Sequence, residues 1–203
     1  MNVRMCLLAI LSLGDCYGYQ LKNEFERRTG RTWKLNVGQV YNTLDRLERD
    51  GLVKRSPESI DGQIPYSLTS SGKLEFLAWV SIDETTTALG EEQVSRIAFL
   101  TTILGSEVRT LILALRERLT SQLAELELAI SELESPIRAE DLPGQFQLTS
   151  SLLRLRADRD WFELASEKLA ELQSRGESAQ LPISSELRPR GRPHSLKRGS
   201  TRI

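Results

Sequence analysis

Apolar positions along this chain recur mostly with the period of helices. From Val3 to Leu13 nearly every position is apolar, including Leu7, Leu8, Ile10 and Leu11, which predicts a helix at the centre of a small domain. Gly14 and Asp15 interrupt it, with Asp15 set to cap a second helix. That helix, about Gly18 to Thr29, reads GYQLKNEFERRT. Tyr19 or Gln20, Leu21 and Phe25 turn inward on it, and Lys22, Glu24, Glu26 and Arg28 turn outward. Gly30 stops it, and Arg31-Thr32-Trp33-Lys34-Leu35 leads into NVGQVYNTLDRLERDG. There Asn36 and Gln39 stand at capping-box spacing. Val40, Leu44 and Leu47 form one apolar stripe, and Gly51 sits where a helix ends in a left-handed residue.

The opposite face of that third helix groups Gln39, Asn42, Arg46 and Arg49, with Tyr41 on its flank. Amide and guanidinium groups are the side chains that pair bidentately with adenine and guanine edges. By itself the pattern also fits an ordinary surface helix. Two helices joined by a short polar link, the second with such a face, make a helix-turn-helix. Two strand-like runs come next, Leu52 to Ser56 and Ile64 to Leu68, around a turn-rich loop from Pro57 to Gly62. Pro65 predicts that the second strand is an edge there. A hairpin in this position is a wing. Thr69 then caps a further helix in which Leu74, Leu77 and Trp79 or Ala78 pack inward.

The order LSLG…YGYQL, then G-x-VY, L-x-RLE-x-x-GLV and Y-x-LT-x-x-G, resembles the PadR family of transcriptional regulators over roughly the first 80 residues. The resemblance implies a winged helix-turn-helix, homodimeric DNA binding, and repression relieved by a small effector. Relatives carry several basic residues where the wing returns, whereas here Gly62-Gln63-Ile64-Pro65-Tyr66 has none. Lys54 and Arg55 remain as the wing cations.

From Glu91 the pattern changes to long helices. One ends near Gly105, and a second, capped by Ser106, runs to about Glu134. In it Ile112, Leu119, Leu126 and Leu133 repeat every seven residues, with Leu123 and Ile130 in the alternate slot. Arg109 and Arg116 hold the earlier alternate positions, so a two-stranded seam would cover the later turns. A third helix, about Phe146 to Arg175, carries Leu148, Leu152, Leu155, Phe162 and Leu169 on one side. This region resembles the helical C-terminal part of the longer PadR-like proteins, which pairs two subunits. The expected dimer contacts are Ile112, Leu119, Leu123, Leu126, Ile130, Leu133, Leu155 and Phe162. Trp79, Trp161 and Phe162 are the candidate lining of a pocket for a small aromatic effector.

The division expected is a winged domain over 1–84, a helical dimerisation domain over 85–175, and a disordered basic tail over 176–203, where Pro, Ser, Gly and Arg dominate without periodicity. The fold class is mainly α. Net charge is −1, but its distribution is uneven. Residues 1–80 carry eleven Lys/Arg against nine Asp/Glu, residues 81–175 ten against seventeen, and residues 176–203 six against two. The tail reads equally as a basic arm toward DNA and as a plain solvated end. No apolar run is expected to reach the roughly 18 residues of a membrane span. Met5 to Leu13 lacks the small-residue cleavage site of a signal peptide. Cys6 and Cys16 are too few for a disulfide framework. The single histidine, His194, lies in the tail, and no phosphate-loop, dinucleotide or metal-ligand motif appears. The expectation is a cytoplasmic regulator, not an enzyme, without a cofactor, membrane or metal. Its partners would be double-stranded DNA, a second copy of itself and a small effector. Gln39, Asn42 and Arg46 would read bases, and Arg31, Lys34, Tyr41, Lys54 and Arg55 would contact phosphates. The alternative is a winged-helix protein–protein module without direct DNA binding.

Overall fold

The computed structural model describes residues 1–56, 64–81, 91–132, 138 and 140–184. Helix α1 (Val3–Leu11), capped by the Asn2 side chain, buries every residue from Met5 to Leu11. A helix this apolar has to be enclosed, and α2 (Gly18–Arg28), α3 (Val37–Arg49), α4 (Ser70–Val80) and α5 (Glu91–Leu104) all pack against it. Strand β1 (Cys16–Tyr17) precedes α2. The cap of α2 comes from Gln20, whose Oε1 accepts from Tyr17 N at 3.4 Å, and not from Asp15, which accepts from Ser56 Oγ. Cys6 and Cys16 are free and buried, and burial pushes both thiols up to about 12.

Strands β2 (Val53–Arg55) and β3 (Pro65–Leu68) form the wing, and β1 pairs with the other side of β3 to give the order β1-β3-β2. The Pro65 strand is therefore central and not an edge. The proline is tolerated because it is the first residue of the strand, and its carbonyl still accepts from Ser56 N at 2.8 Å. The wing loop expected over Pro57 to Gly62 lies outside the described residues. Helix α4 is turned differently from the expectation. It buries Gly72 and Phe76 and leaves Leu74 and Leu77 68% and 49% exposed. The reason is the close approach of Gly72 to the Leu52 carbonyl, which sets the 72/76 face inward.

Helix α5 continues through a 3₁₀ turn (Gly105–Glu107) into α6 (Val108–Ser131), and α7 (Leu142–Ser174) comes after it. No side chain caps α6. The expected Ser106 cap is replaced by this turn, in which Gly105 has φ +60°. One 18-residue window within Glu91–Ser131 is apolar enough, by length and composition, to cross a membrane, contrary to the sequence expectation. Here its inward residues Ile97, Leu100, Ile103, Val108 and Ile112 join a core cluster that runs unbroken from α1 to α7. That cluster crosses the expected boundary at 84/85.

Helices α6 and α7 form an antiparallel hairpin, with Glu127 opposite Arg156 and Arg109 opposite Gln173. At 1.5 Å per residue they extend about 36 and 50 Å. The heptad leucines are consumed here. Ile112, Leu119, Leu123, Leu155 and Phe162 are buried and Leu126 and Ile130 half-buried within one chain, while Leu133 lies outside the described residues. Within one chain the seven-residue repeat thus forms the seam of the α6–α7 hairpin. Leu128, Phe146, Leu153 and Leu164 remain exposed on it.

The tail also departs from expectation. After α7 the chain turns at Gly176 and residues 178–184 run back along α5 and α2. Leu181 N donates to Thr102 O at 2.9 Å, and Gln180 Nε2 to Ile103 O at 2.9 Å. This strap covers Glu24 and Arg28, which are only 1% and 4% exposed, where the sequence suggested an outward pair. Arg28 donates to Glu24, to Thr102 O at 2.6 Å and to Leu181 O at 2.7 Å. Glu24 Oε1 accepts from Ser184 N at 2.9 Å. Residues 185–203 lie outside the described residues.

Removing one partner of a buried, hydrogen-bonded pair leaves an uncompensated charge and costs about 3–5 kcal/mol. Arg28→Met should therefore lower the urea midpoint strongly. A variant that unfolds at the parent's midpoint would mean that the pair is not buried in solution.

Candidate nucleic-acid interface

Helix α3 begins with a reciprocal cap. Gln39 N donates to Asn36 Oδ1 at 2.7 Å, and Asn36 N to Gln39 Oε1 at 3.2 Å. Val40, Leu44 and Leu47 are completely buried, which turns the polar stripe outward. Gln39, Tyr41, Asn42, Arg46 and Arg49 all lie on the outer side, with Arg46 and Tyr41 exposed. The cap engages the Gln39 side-chain oxygen in one hydrogen bond, leaving its amide NH2 as the donor for a base edge. Asn42 and Arg46 lie one helical turn apart, and among the described residues neither makes a side-chain hydrogen bond or ion pair. Arg49 is held by Asp50 at 3.2 Å. Asp50 is in turn bound by Arg4 at 2.7 Å, a hydrogen bond that holds its carboxyl below the usual range.

The turn before α3 is built around Glu26. Its Oε1 accepts from Lys22 Nζ at 2.7 Å and from Leu35 N at 3.3 Å. The Lys22 hydrogen bond leads in holding this carboxyl below the usual range. Leu35 is buried, and Arg31 and Lys34 stand exposed on either side of Thr32 and Trp33. Tyr41 packs on the first turn of α2. A methyl group added at Gly18 would lie 2.7 Å from the Tyr41 ring, so the glycine of the YGYQL motif is the seat of that tyrosine.

The wing is tied to α3. Arg55 reaches back to Asp45 at 3.0 Å and Glu48 at 2.9 Å, and its guanidinium lies 5.8 Å from the Tyr66 ring centre. Arg55, expected as a phosphate contact, thus also ties the wing to α3 through two carboxylates. Lys54 is exposed and makes no ion pair among the described residues. The exit of the wing explains the Y-x-LT-x-x-G motif. Tyr66 is buried beneath Arg55. Thr69 Oγ1 contacts the Gly51 and Leu52 carbonyls and caps α4 by accepting from Gly72 N at 3.0 Å. A Cβ at Gly72 would come within 2.0 Å of Leu52 O. Helix α4 is thereby pressed onto the residue that joins α3 to the wing.

Of the three aromatic residues expected to line one pocket, Trp161 and Phe162 are in ring contact, and no ring contact joins Trp79 to them among the described residues. Trp79 stacks with Arg96 at 5.4 Å, and Trp161 meets Phe162 edge-on at 4.9 Å. Neither tryptophan nor Phe162 lines the cavity of about 320 Å³ between the end of α1, the α5–α6 turn and the strap, bordered by Ser12, Leu13, Gly105, Ser178 and Gln180 among others. Sequence reasoning missed Glu24, Arg28 and Arg55 as fixed groups. The only signal for the first two was Leu181-Pro182-Ile183, an apolar trio in an otherwise polar end.

Helix-turn-helix, a hairpin wing and a capped helix with an exposed amide–guanidinium face together define a winged helix-turn-helix. Residues 7–78 match the family model described as the transcriptional regulator PadR-like family. The chain is 28% identical over 82 residues to the negative transcriptional regulator PadR of Bacillus subtilis (strain 168), a match covering 38% of this chain and 44% of that relative. The match thus spans less than half of that relative's length. Among solved structures it resembles Bacillus subtilis PadR in complex with operator DNA, with 23% identity, a TM-score of 0.35, and 82% and 98% of the two chains covered. It also resembles the Vibrio cholerae virulence activator AphA, with 22% identity, a TM-score of 0.36, and 86% and 99% covered.

Because α4 sits directly on the Leu52 carbonyl, Gly72→Ala should displace α4 from the wing and cost about 3 kcal/mol, the upper end for overpacking. Thermal melting monitored by circular dichroism reads this directly. A melting temperature equal to the parent's would show that the contact is looser in solution.

Proposed function

We propose that this chain is a sequence-specific DNA-binding transcriptional regulator, a homodimeric repressor that reads an inverted repeat and is released by a small aromatic effector. The observation that carries the reading is the Asn42–Arg46 pair, exposed and free of partners among the described residues on the outer face of a rigidly capped helix within a PadR-like domain. Asn pairs with adenine and Arg with guanine in a major groove. Arg31, Lys34 and Lys54 surround that face as phosphate contacts, and Tyr41 and the Gln39 amine complete it. The negative-regulator role of the curated relative supports repression.

One winged module reads too few base pairs for selective binding in a genome, so two must act together. The reading assigns DNA recognition to residues 1–84 and pairing to the helices of 85–175. Since the heptad leucines are buried within the chain, pairing falls to the outer face of the α6–α7 hairpin, where Leu128, Leu153 and Leu164 are exposed. Two recognition helices would then stand about 34–36 Å apart, one turn of DNA. An effector seated beside the half-buried Trp161 would shift the balance between DNA-competent and incompetent pairings, and would quench that tryptophan's fluorescence.

A second reading, a protein–protein module, draws support from the neutralised Arg55 and the low net charge of residues 1–80. Salt separates the two, because affinity for duplex DNA falls steeply with ionic strength.

Two outcomes are expected. Arg46→Ala should cost about 1–3 kcal/mol on a selected site and much less on a scrambled duplex, measured by fluorescence anisotropy. Equal losses on both would remove Arg46 as a base reader. Leu153→Asp with Leu164→Asp should convert the dimer to a monomer in sedimentation analysis and weaken operator binding at least tenfold. A double variant that sediments with the parent would place the pairing surface elsewhere.

A further inference from the structure

Beside Asn42 and Arg46, the outer side of α3 carries a carboxylate. Asn42, Asp45 and Arg46 stand at i, i+3 and i+4, which makes their side chains neighbours on one helix surface, and all three are exposed. A carboxylate there would meet duplex DNA with the wrong sign of charge. Here it is countered from the wing. Arg55 Nη2 donates to Asp45 Oδ1 at 3.0 Å, and Arg55 Nε lies 2.9 Å from Glu48 Oε2. Arg55 faces Tyr66 across the β2–β3 ladder, and its guanidinium lies 5.8 Å from the centre of that buried ring. Asp45 is therefore held at one oxygen by a cation that the strand pairing and the Tyr66 ring keep in place.

The other oxygen, Oδ2, makes no hydrogen bond or ion pair among the described residues. The Asp45 side chain stays 60% exposed with Arg55 bound to it. An exposed ion pair of this kind adds little to stability, so the fold alone gives no strong reason for an acid at this position. Base edges give one. In the major groove an amide matches adenine, a guanidinium matches guanine, and a carboxylate accepts from the N4 amine of cytosine.

We propose that Asp45 is a specificity-determining residue of α3 whose free oxygen accepts from the N4 amine of a cytosine, and that Arg55 is the positioning residue that holds it there and offsets its charge. This rests on the regulator reading and adds a third base contact to Asn42 and Arg46. Thymine in place of that cytosine presents the O4 acceptor where the amine stood, so carboxylate and base would face each other without a proton between them. Loss of Arg55 leaves Asp45 and Glu48 uncountered beside the phosphates, which weakens binding to every sequence alike.

The test uses the full chain and duplexes selected from a random pool. The parent should recover a half-site with cytosine fixed at one position. Selection with Asp45→Ala should leave that position open to any base and the other positions as in the parent. In anisotropy titrations, exchanging this C·G pair for T·A should cost the parent roughly fivefold or more, the lower end for one base contact, and should leave Asp45→Ala nearly unchanged. Arg55→Gln should weaken binding to selected and scrambled duplexes together. Adding Asp45→Asn and Glu48→Gln to it should restore that general affinity without restoring the cytosine preference. An Asp45→Ala protein that selects the parent's site at every position would overturn the base contact. A triple variant that binds no more tightly than Arg55→Gln would overturn the role given to Arg55 and make it a phosphate contact. A parent chain that binds no duplex, or binds all duplexes alike, would strike the regulator reading itself, a result distinguishable from both.

Discussion

The buried pair of Glu24 and Arg28 is the constraint on which the arrangement of the molecule depends. Two charges taken out of water are tolerated only when every remaining lone pair and proton finds a partner. Burial pulls the Arg28 guanidinium below its ordinary range even with Glu24 alongside. Its partners come from three places: α2 itself, the Thr102 carbonyl in the last turn of α5, and the Leu181 carbonyl of the strap. One guanidinium therefore sets α5 against the helix-turn-helix and holds the returning chain over both. Phe25 and Phe99, whose ring centres are 6.2 Å apart, extend the same contact into the core.

From that anchor the architecture divides by what each apolar surface can reach. The inner face of α6 is covered by α7, and the fully enclosed α1 carries the winged domain around it. What stays open is the polar face of α3 at one end and the apolar patches of the hairpin at the other. A continuous core cluster joins the two.

Local signals in the sequence are legible where the structure is local. The Asn36–Gln39 cap, the Val40–Leu44–Leu47 stripe and the end of α3 at Gly51, with φ +71°, all arise from neighbours a turn apart. The same holds for the threonine cap of α4. The pattern misleads where the deciding partner is distant. Glu24 and Arg28 at i,i+4 spacing resemble a solvated pair, and partners 74 and more than 150 residues away make them interior. A seven-residue leucine repeat defines a stripe but not whose side chains cover it, so an intrachain hairpin and a dimer seam look alike. The face of α4 departs from its pattern because one glycine against one carbonyl outweighs two leucines. Within the recognition surface the residue types are readable. That Arg55 is spent on Asp45 and Glu48 is not, because strand and helix meet only in three dimensions.

The strap gives the chain a closed path in which residues near 181–184 complete a helix made from residues near 24–28. Contacts of such long sequence separation form late. During synthesis the helix-turn-helix emerges early, but Glu24 and Arg28 lack part of their partners until residues 181–184 have left the ribosome.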